Sequence, residues 1–235
     1  MNEAAFLINL KLCKKVFEQF GILKKTNNIN IYVSSYNKFS SEFRRIAQKN
    51  DYIKTFITGL EMDDYDYLLN DGSFIQYSYD KKDNDIVLRM AYYPSITSLT
   101  YEEFLKEFYD LDIEDCGAVF MSDYQQYLTE EETKLVTPLR YDYNSRKYKP
   151  LIHSSSHIHM GYEENIRIPF EKIITPTVFA KFILQYYYYE NWKSKICDQD
   201  LLDYCLIKQG ECYAIEQQYF SHNDKKIPYV SFNHN

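Results

Sequence analysis

The amino-acid sequence predicts an α+β fold in which an antiparallel sheet of hairpins packs against several helices. Three observations carry that expectation. Side chains in DIVLRMAYY (85–93) divide between two faces with a period of two, next to a second run, SFIQYSYD (73–80), across the polar turn KKDND. Apolar residues elsewhere recur at spacings of three and four, which marks helices that bury one face. Strands and helices follow one another irregularly, with no repeat period and no Pro/Gly/Ser linker.

The first element is an amphipathic helix, with Phe6, Leu10, Cys13, Phe17 and Phe20 on one stripe and Gly21 as its stop. A second helix is expected near Ser40 to Gln48, capped by Ser40 or Ser41. Residues 51–69 give no clear pattern, and the acidic run EMDDYDY (61–67) reads as a solvated segment. After the hairpin, Pro94 ends the second strand. A helix capped by Ser98 or Thr100 follows, with Glu102 and Glu103 in its first turn and Phe104, Leu105 and Phe108 as core residues. GAVFM (117–121) reads as a short buried strand, and Asp123 to Leu135 as a surface helix.

A second sheet region is expected from Pro138: PLRYDYN, YKPLIHSSSHIHM and NIRIPF form three extended runs, with turns at NSRK (144–147) and GYEEN (161–165). Pro176 then opens a helix whose Val178, Phe179, Phe182, Ile183 and Tyr186 face the core. A last helix spans Gln199 to Ile207, before a strand near Cys212 to Tyr219. With 235 residues the chain can bury a sizeable core, yet it is short for two full-sized enzyme domains. One α+β domain is expected over 1–235, with a helical part at 1–50, the core sheet at 65–195, and a C-terminal helix and strand at 196–235.

Composition narrows the function classes. The net charge of −7 argues against a non-specific nucleic-acid binder, although a local basic patch can still bind RNA or DNA. Five cysteines without a CxxC support neither a disulfide framework nor a cysteine zinc site, and fit reduced thiols. The N-terminal stretch lacks an initial basic region, and Asn9, Lys11 and Lys14 interrupt its apolar run, so a cytoplasmic protein without a membrane span is expected. The 25 tyrosines fit an AT-rich coding background better than a dedicated aromatic surface. No P-loop, GxGxxG, HExxH or GxSxG occurs. Asp123 with Glu132–Thr133–Lys134 has the D…ExK spacing of metal-dependent nucleases, but lies in a run of three glutamates that reads as a solvated helix face.

The chemically loaded stretch is HSSSHIH (153–159), which holds three of the five histidines. On a strand, His153, Ser155, His157 and His159 share one face, while Ile158 and Met160 point into the core. Strand rise separates His157 and His159 by about 7 Å. A tight connection at GYEEN pairs Met160 with Ile166 and sets Arg167 opposite His159. The NSRK turn brings Arg140 and Asp142 beside the same strand. His157 and His159 are therefore the candidate acid/base pair on a phosphodiester, with Arg140 and Arg167 binding phosphate and Asp142 orienting an imidazole. Two histidines and a carboxylate also make a competent site for a divalent transition metal. The plain alternatives are solvated or tyrosine-bonded histidines, or a surface that binds a ligand or partner. Arg89 reads as the structural partner of an acidic residue, and whether His153 joins the site is open.

Three stretches together, LRMAYYPS (88–95), PLRYDYN (138–144) and SHIHMGYEENIRIPFEKIITPTVFAKFIL (156–184), resemble the bacterial family named domain of unknown function 2290. The resemblance covers roughly residues 65 to 195. It implies a stand-alone bacterial cytoplasmic protein of the kind found in mobile or anti-phage defence neighbourhoods, and it assigns no chemistry. A fainter likeness rests on Arg140, Asp142, His157 and His159: a hairpin followed by an RxD strand and a His-rich strand resembles small toxins of toxin–antitoxin pairs, some suspected of acting on RNA. The chain departs from them in length and in its flanking helices. The leading expectation is a nuclease or phosphodiesterase-like effector acting on RNA or another nucleotide. The rival is a non-enzymatic subunit that docks onto a partner protein in a defence complex or as a neutralising partner, a reading that the acidic charge favours.

Overall fold

The computed structural model of the chain describes residues 1–27, 33–49, 51–83, 85–96, 99–130, 136–162, 166–207 and 210–232. Helix α1 (Glu3–Gln19) starts where the Asn2 side chain accepts from the Ala5 amide, and it buries Phe6, Leu10, Cys13, Val16 and Phe17 on one stripe. After β1 (Leu23–Thr26) come α2 (Ser41–Ile46), capped by Ser40, and α3 (Tyr52–Glu61), capped by Asp51. The strands β2 (Tyr67–Leu69), β3 (Phe74–Lys82) and β4 (Asp85–Tyr93) follow. The β3–β4 hairpin pairs along its whole length, from Phe74 with Tyr93 to Lys82 with Asp85.

Helix α4 (Tyr101–Tyr109) has a capping box, in which Thr100 and Glu103 satisfy each other's backbone amides. Then come α5 (Ile113–Cys116), α6 (Met121–Glu130), β5 (Leu139–Asn144), β6 (Ser156–Met160) and β7 (Arg167–Pro169). Next are β8 (Lys172–Ile174), α7 (Pro176–Tyr187), α8 (Tyr189–Ile196), α9 (Gln199–Cys205) and β9 (Cys212–Ala214). Strands β1 to β7 form one antiparallel sheet in sequence order, and β8 pairs with β9. The α+β class holds. Strands β5, β6 and β7 continue the sheet begun by the hairpin, because β5 pairs with β4 from Val87↔Asn144 to Tyr92↔Leu139.

Each face of the sheet carries its own core. On the first face Tyr77, Leu88, Met90, Tyr141 and Ile158 pack against α1 and α7. On the second, Phe74, Ala91 and Tyr93 pack against Phe43 of α2, Phe56 of α3, Phe104 of α4 and Tyr124 of α6. Helix α3 lies so close to the sheet that a Cβ on Gly59 would overlap the Phe74 ring.

Several local expectations change. In the acidic run, Asp64, Tyr65, Asp66 and Tyr67 are buried. Asp66 meets Lys38 Nζ at 2.5 Å and accepts from the Tyr77 amide at 2.6 Å, while Asp64 accepts from the Ser40 amide at 2.7 Å. Buried carboxylates survive where donors await them, and these donors lie far away in sequence. Phe108 is 54% exposed, its ring resting on Phe104 and Tyr127 rather than inside the core. GAVFM is no strand: it joins α5 to α6 with Val119 74% exposed, since so short an apolar run does not by itself distinguish strand from helix start. Tyr186 is exposed, and Tyr187 instead packs its ring edge on Tyr92. The last strand stops at Ala214, and the Glu132–Thr133–Lys134 motif lies outside the described residues.

Candidate active site

The register of three strands assembles the site. Arg89 on β4 pairs with Asp142 on β5, which pairs with His157 on β6. In the neighbouring row Ala91 pairs with Arg140, Arg140 with His159, and His159 with Arg167 on β7. Directly paired residues share a face, so all five side chains of the sequence-predicted set, together with Arg89, stand on the second face. The strand register sets Arg167 opposite His159 as expected, with the Met160 amide donating to the Ile166 carbonyl, while residues 163–165 of the expected GYEEN turn lie outside the described residues. The strand begins only at Ser156, so His153 lies before it. Its ring nevertheless meets His157 edge-on, with centroids 5.0 Å apart.

Side-chain directions bring the groups much closer than the strand rise. His157 Nε2 and His159 Nε2 are 3.0 Å apart, and both rings are buried. Asp142 Oδ2 lies 3.4 Å from His159 Nε2 and accepts from Arg140 Nε at 2.9 Å. The other nitrogen of His157, Nδ1, lies 3.0 Å from the Ser154 carbonyl. A carbonyl only accepts, so the His157 proton sits on Nδ1 and the Nε2 lone pair faces His159. His159 Nε2 then carries the proton that the pair shares. Its Nδ1 is buried with no hydrogen-bond partner among the described residues.

The charges are set by these neighbours. Burial pushes His157 down to about 4, with His159 and His153 adding to the effect and Asp142 opposing it, so His157 is neutral at pH 7. Burial works against ionisation of Asp142, yet the His159 hydrogen bond and the charges of Arg140 and Arg89 outweigh it. They hold this carboxyl well below the usual carboxylate range. Arg89 lies with its guanidinium 5.0 Å from the Tyr36 ring centre. Arg167 is exposed and, with His157, lines a groove of about 480 Å³ whose other walls include Leu151, Ile152, Ile227 and Pro228.

This geometry corrects one expected role. An in-line displacement at phosphorus puts the attacking and leaving oxygens on opposite sides, whereas Nε2 atoms 3.0 Å apart point at one another. As they stand, the two imidazoles form one proton-sharing unit and do not straddle a phosphate. Asp142 does contact an imidazole, that of His159.

The family model described as an uncharacterized conserved protein, DUF2290, matches residues 12–231 of the chain. The chain belongs to the DUF2290 family. No curated protein and no solved structure matches it. The match is wider than the 65–195 suggested by the quoted motifs, and takes in the second half of α1 as well as the C-terminal segment beside the groove.

In this DUF2290 chain, sequence reasoning missed the Ser154 carbonyl that fixes the His157 tautomer, and Tyr36, which lies over Arg89. A backbone carbonyl leaves no residue-type signal. Tyr36 sits among many tyrosines and far from Arg89 in sequence. Among the described residues no helix is long and apolar enough to cross a membrane.

Proposed function

We propose that this DUF2290 protein is a nuclease or phosphodiesterase-like effector that cleaves a phosphodiester in RNA or another nucleotide. The observation that carries the reading is one sheet face on which Asp142, His157 and His159 converge beside Arg89, Arg140 and Arg167. Arg167, on the groove, binds the phosphate, and Arg89 and Arg140 add positive potential behind it while holding Asp142 ionised. The histidine pair acts as a single acid–base unit: the His157 lone pair accepts the nucleophile's proton by relay through His159. The leaving oxygen is protonated from the open groove. An anti-phage or toxin–antitoxin setting, which the resemblances imply, gives such an effector a use.

The test is cleavage of mixed RNA and DNA by wild type and by the His157→Ala/His159→Ala double variant. Cleavage by the wild type that drops at least 100-fold in a folded double variant is the expected result. Equal cleavage by both proteins would sink the proposal. A second reading, docking of a partner protein, draws on Phe108 and Val119, which are 54% and 74% exposed around α4 to α6. It gains weight if neither protein cleaves.

A further inference from the structure

The structure assigns to Asp142, His157 and His159 a binding site for one divalent transition-metal ion. The inference deepens the phosphodiesterase reading and takes its chemistry from it, although the site itself stands on geometry. The potential ligand atoms of the three side chains all lie within 4.8 Å of one another. Two pairs are closer, at 3.0 Å for His157 Nε2 to His159 Nε2 and 3.4 Å for His159 Nε2 to Asp142 Oδ2. Metal–ligand bonds of about 2.0–2.1 Å imply ligand–ligand edges of about 3.0 Å in an octahedron and about 3.3–3.4 Å in a tetrahedron. The first spacing is that of an octahedral edge and the second that of a tetrahedral edge.

Two further features favour a metal over an incidental cluster. The Ser154 carbonyl fixes the His157 proton on Nδ1 and aims the Nε2 lone pair inward, as outer-shell partners of ligating histidines do. Arg140 Nε donates to Asp142 Oδ2 at 2.9 Å, the oxygen nearest His159, and so holds the carboxylate toward the histidines. His159 is 3% exposed, and for its Nε2 to ligate the ion, the proton on that atom moves to Nδ1, which is buried without a partner among the described residues.

The donor set of two imidazoles and one carboxylate suits borderline metals such as Zn²⁺, Mn²⁺ or Fe²⁺ rather than Mg²⁺ or Ca²⁺. Three protein ligands leave coordination positions for water and for a substrate oxygen, the pattern of catalytic rather than structural sites. An ion there supplies the Lewis acid that a histidine pair facing itself does not.

The experiment uses the full chain stripped with a chelator and titrated with Zn²⁺ alone by calorimetry. One equivalent is expected to bind, at least tenfold more weakly in His157→Ala and in the near-isosteric Asp142→Asn. The exposed His222→Ala serves as control and should bind as wild type does. Co²⁺ substitution should give visible d–d bands whose intensity reports four or six ligands. Absence of stoichiometric binding by the folded wild type overturns the proposal, as does binding unchanged in both ligand variants. Metal bound without cleavage of any nucleic acid or nucleotide counts against the hydrolase and leaves the metal site standing. Full cleavage by the metal-free protein does the reverse.

Discussion

On β5, Leu139, Tyr141 and Tyr143 face the α1/α7 core and are buried, while Arg140 and Asp142, interleaved with them, face the histidines. The first face is apolar across β2 to β6: Tyr141 Oη lies 2.8 Å from Ser156 Oγ and accepts from the Ile174 amide, while Tyr77 Oη is buried without a hydrogen-bond partner among the described residues. The second face changes character along the sheet. Over β3 and β4 it is covered by α2, α3, α4 and α6, but among the described residues β5, β6 and β7 contribute nothing to that core. The difference shows how one sheet divides two tasks. Where helices cover both sides, the strands serve packing; where the helix-packed core on one side ends, the same alternation gathers Arg140, Asp142 and the two buried histidines. A site built on paired strands keeps its geometry better than one built on loops.

If the first face is the stabilising one, truncating its centre should have the largest effect. Phe179 is fully buried against Tyr77, so Phe179→Ala should cost about 3–5 kcal/mol in denaturant unfolding. A loss under about 1 kcal/mol would remove the ground for the comparison. The helix-covered half of the second face offers a sharper probe. Gly59→Ala drives a methyl group into the Phe74 ring and should cost about 1–3 kcal/mol. Metal binding and cleavage by the protein that remains folded should be unchanged, since Gly59 lies on α3 and outside the histidine cluster. Loss of Zn²⁺ binding by folded Gly59→Ala would show that the two halves of this face are coupled.

What the sequence revealed about this arrangement follows from what is local. The β3–β4 hairpin, the Ser40 and Thr100 caps and Pro176 at its helix start depend on neighbours a few residues away, and all are observed. The pairing of His159 with Arg167 was equally legible from period-two alternation, whereas the sequence placed Arg140 only beside the histidine strand, because residues 145–155 separate β5 from β6 and leave their register open. The inward turn of Asp64 and Asp66 was not legible, since Lys38 and the Ser40 amide reach them only through tertiary packing. The 3.0 Å contact between imidazoles was also hidden: strand rise fixes where backbones sit, while rotamers decide where ring nitrogens meet.

The smallest effect concerns the groove wall beside the histidines, where the comparison is most easily sharpened by pH. Asp224 is buried and accepts from Tyr148 Oη at 2.5 Å, the Leu151 amide at 3.0 Å, and both the amide and hydroxyl of Ser221 at 2.7 Å. It thus ties the turn before β6 to the C-terminal segment, and both line the groove. Burial disfavours its charge, but these hydrogen bonds outweigh burial and lower its pKa below the ordinary 3.8. A carboxyl whose pKa is lower when folded adds stability above the unfolded value of 3.8. That stability drains away as the unfolded chain takes up protons below it. Asp224→Asn should therefore cost about 1 kcal/mol at pH 7 and flatten the fall in stability as the pH drops through and below the ordinary 3.8. A pH profile parallel to wild type would show that Asp224 does not hold the wall by its charge, and would leave the turn at Leu151 to be explained by packing alone.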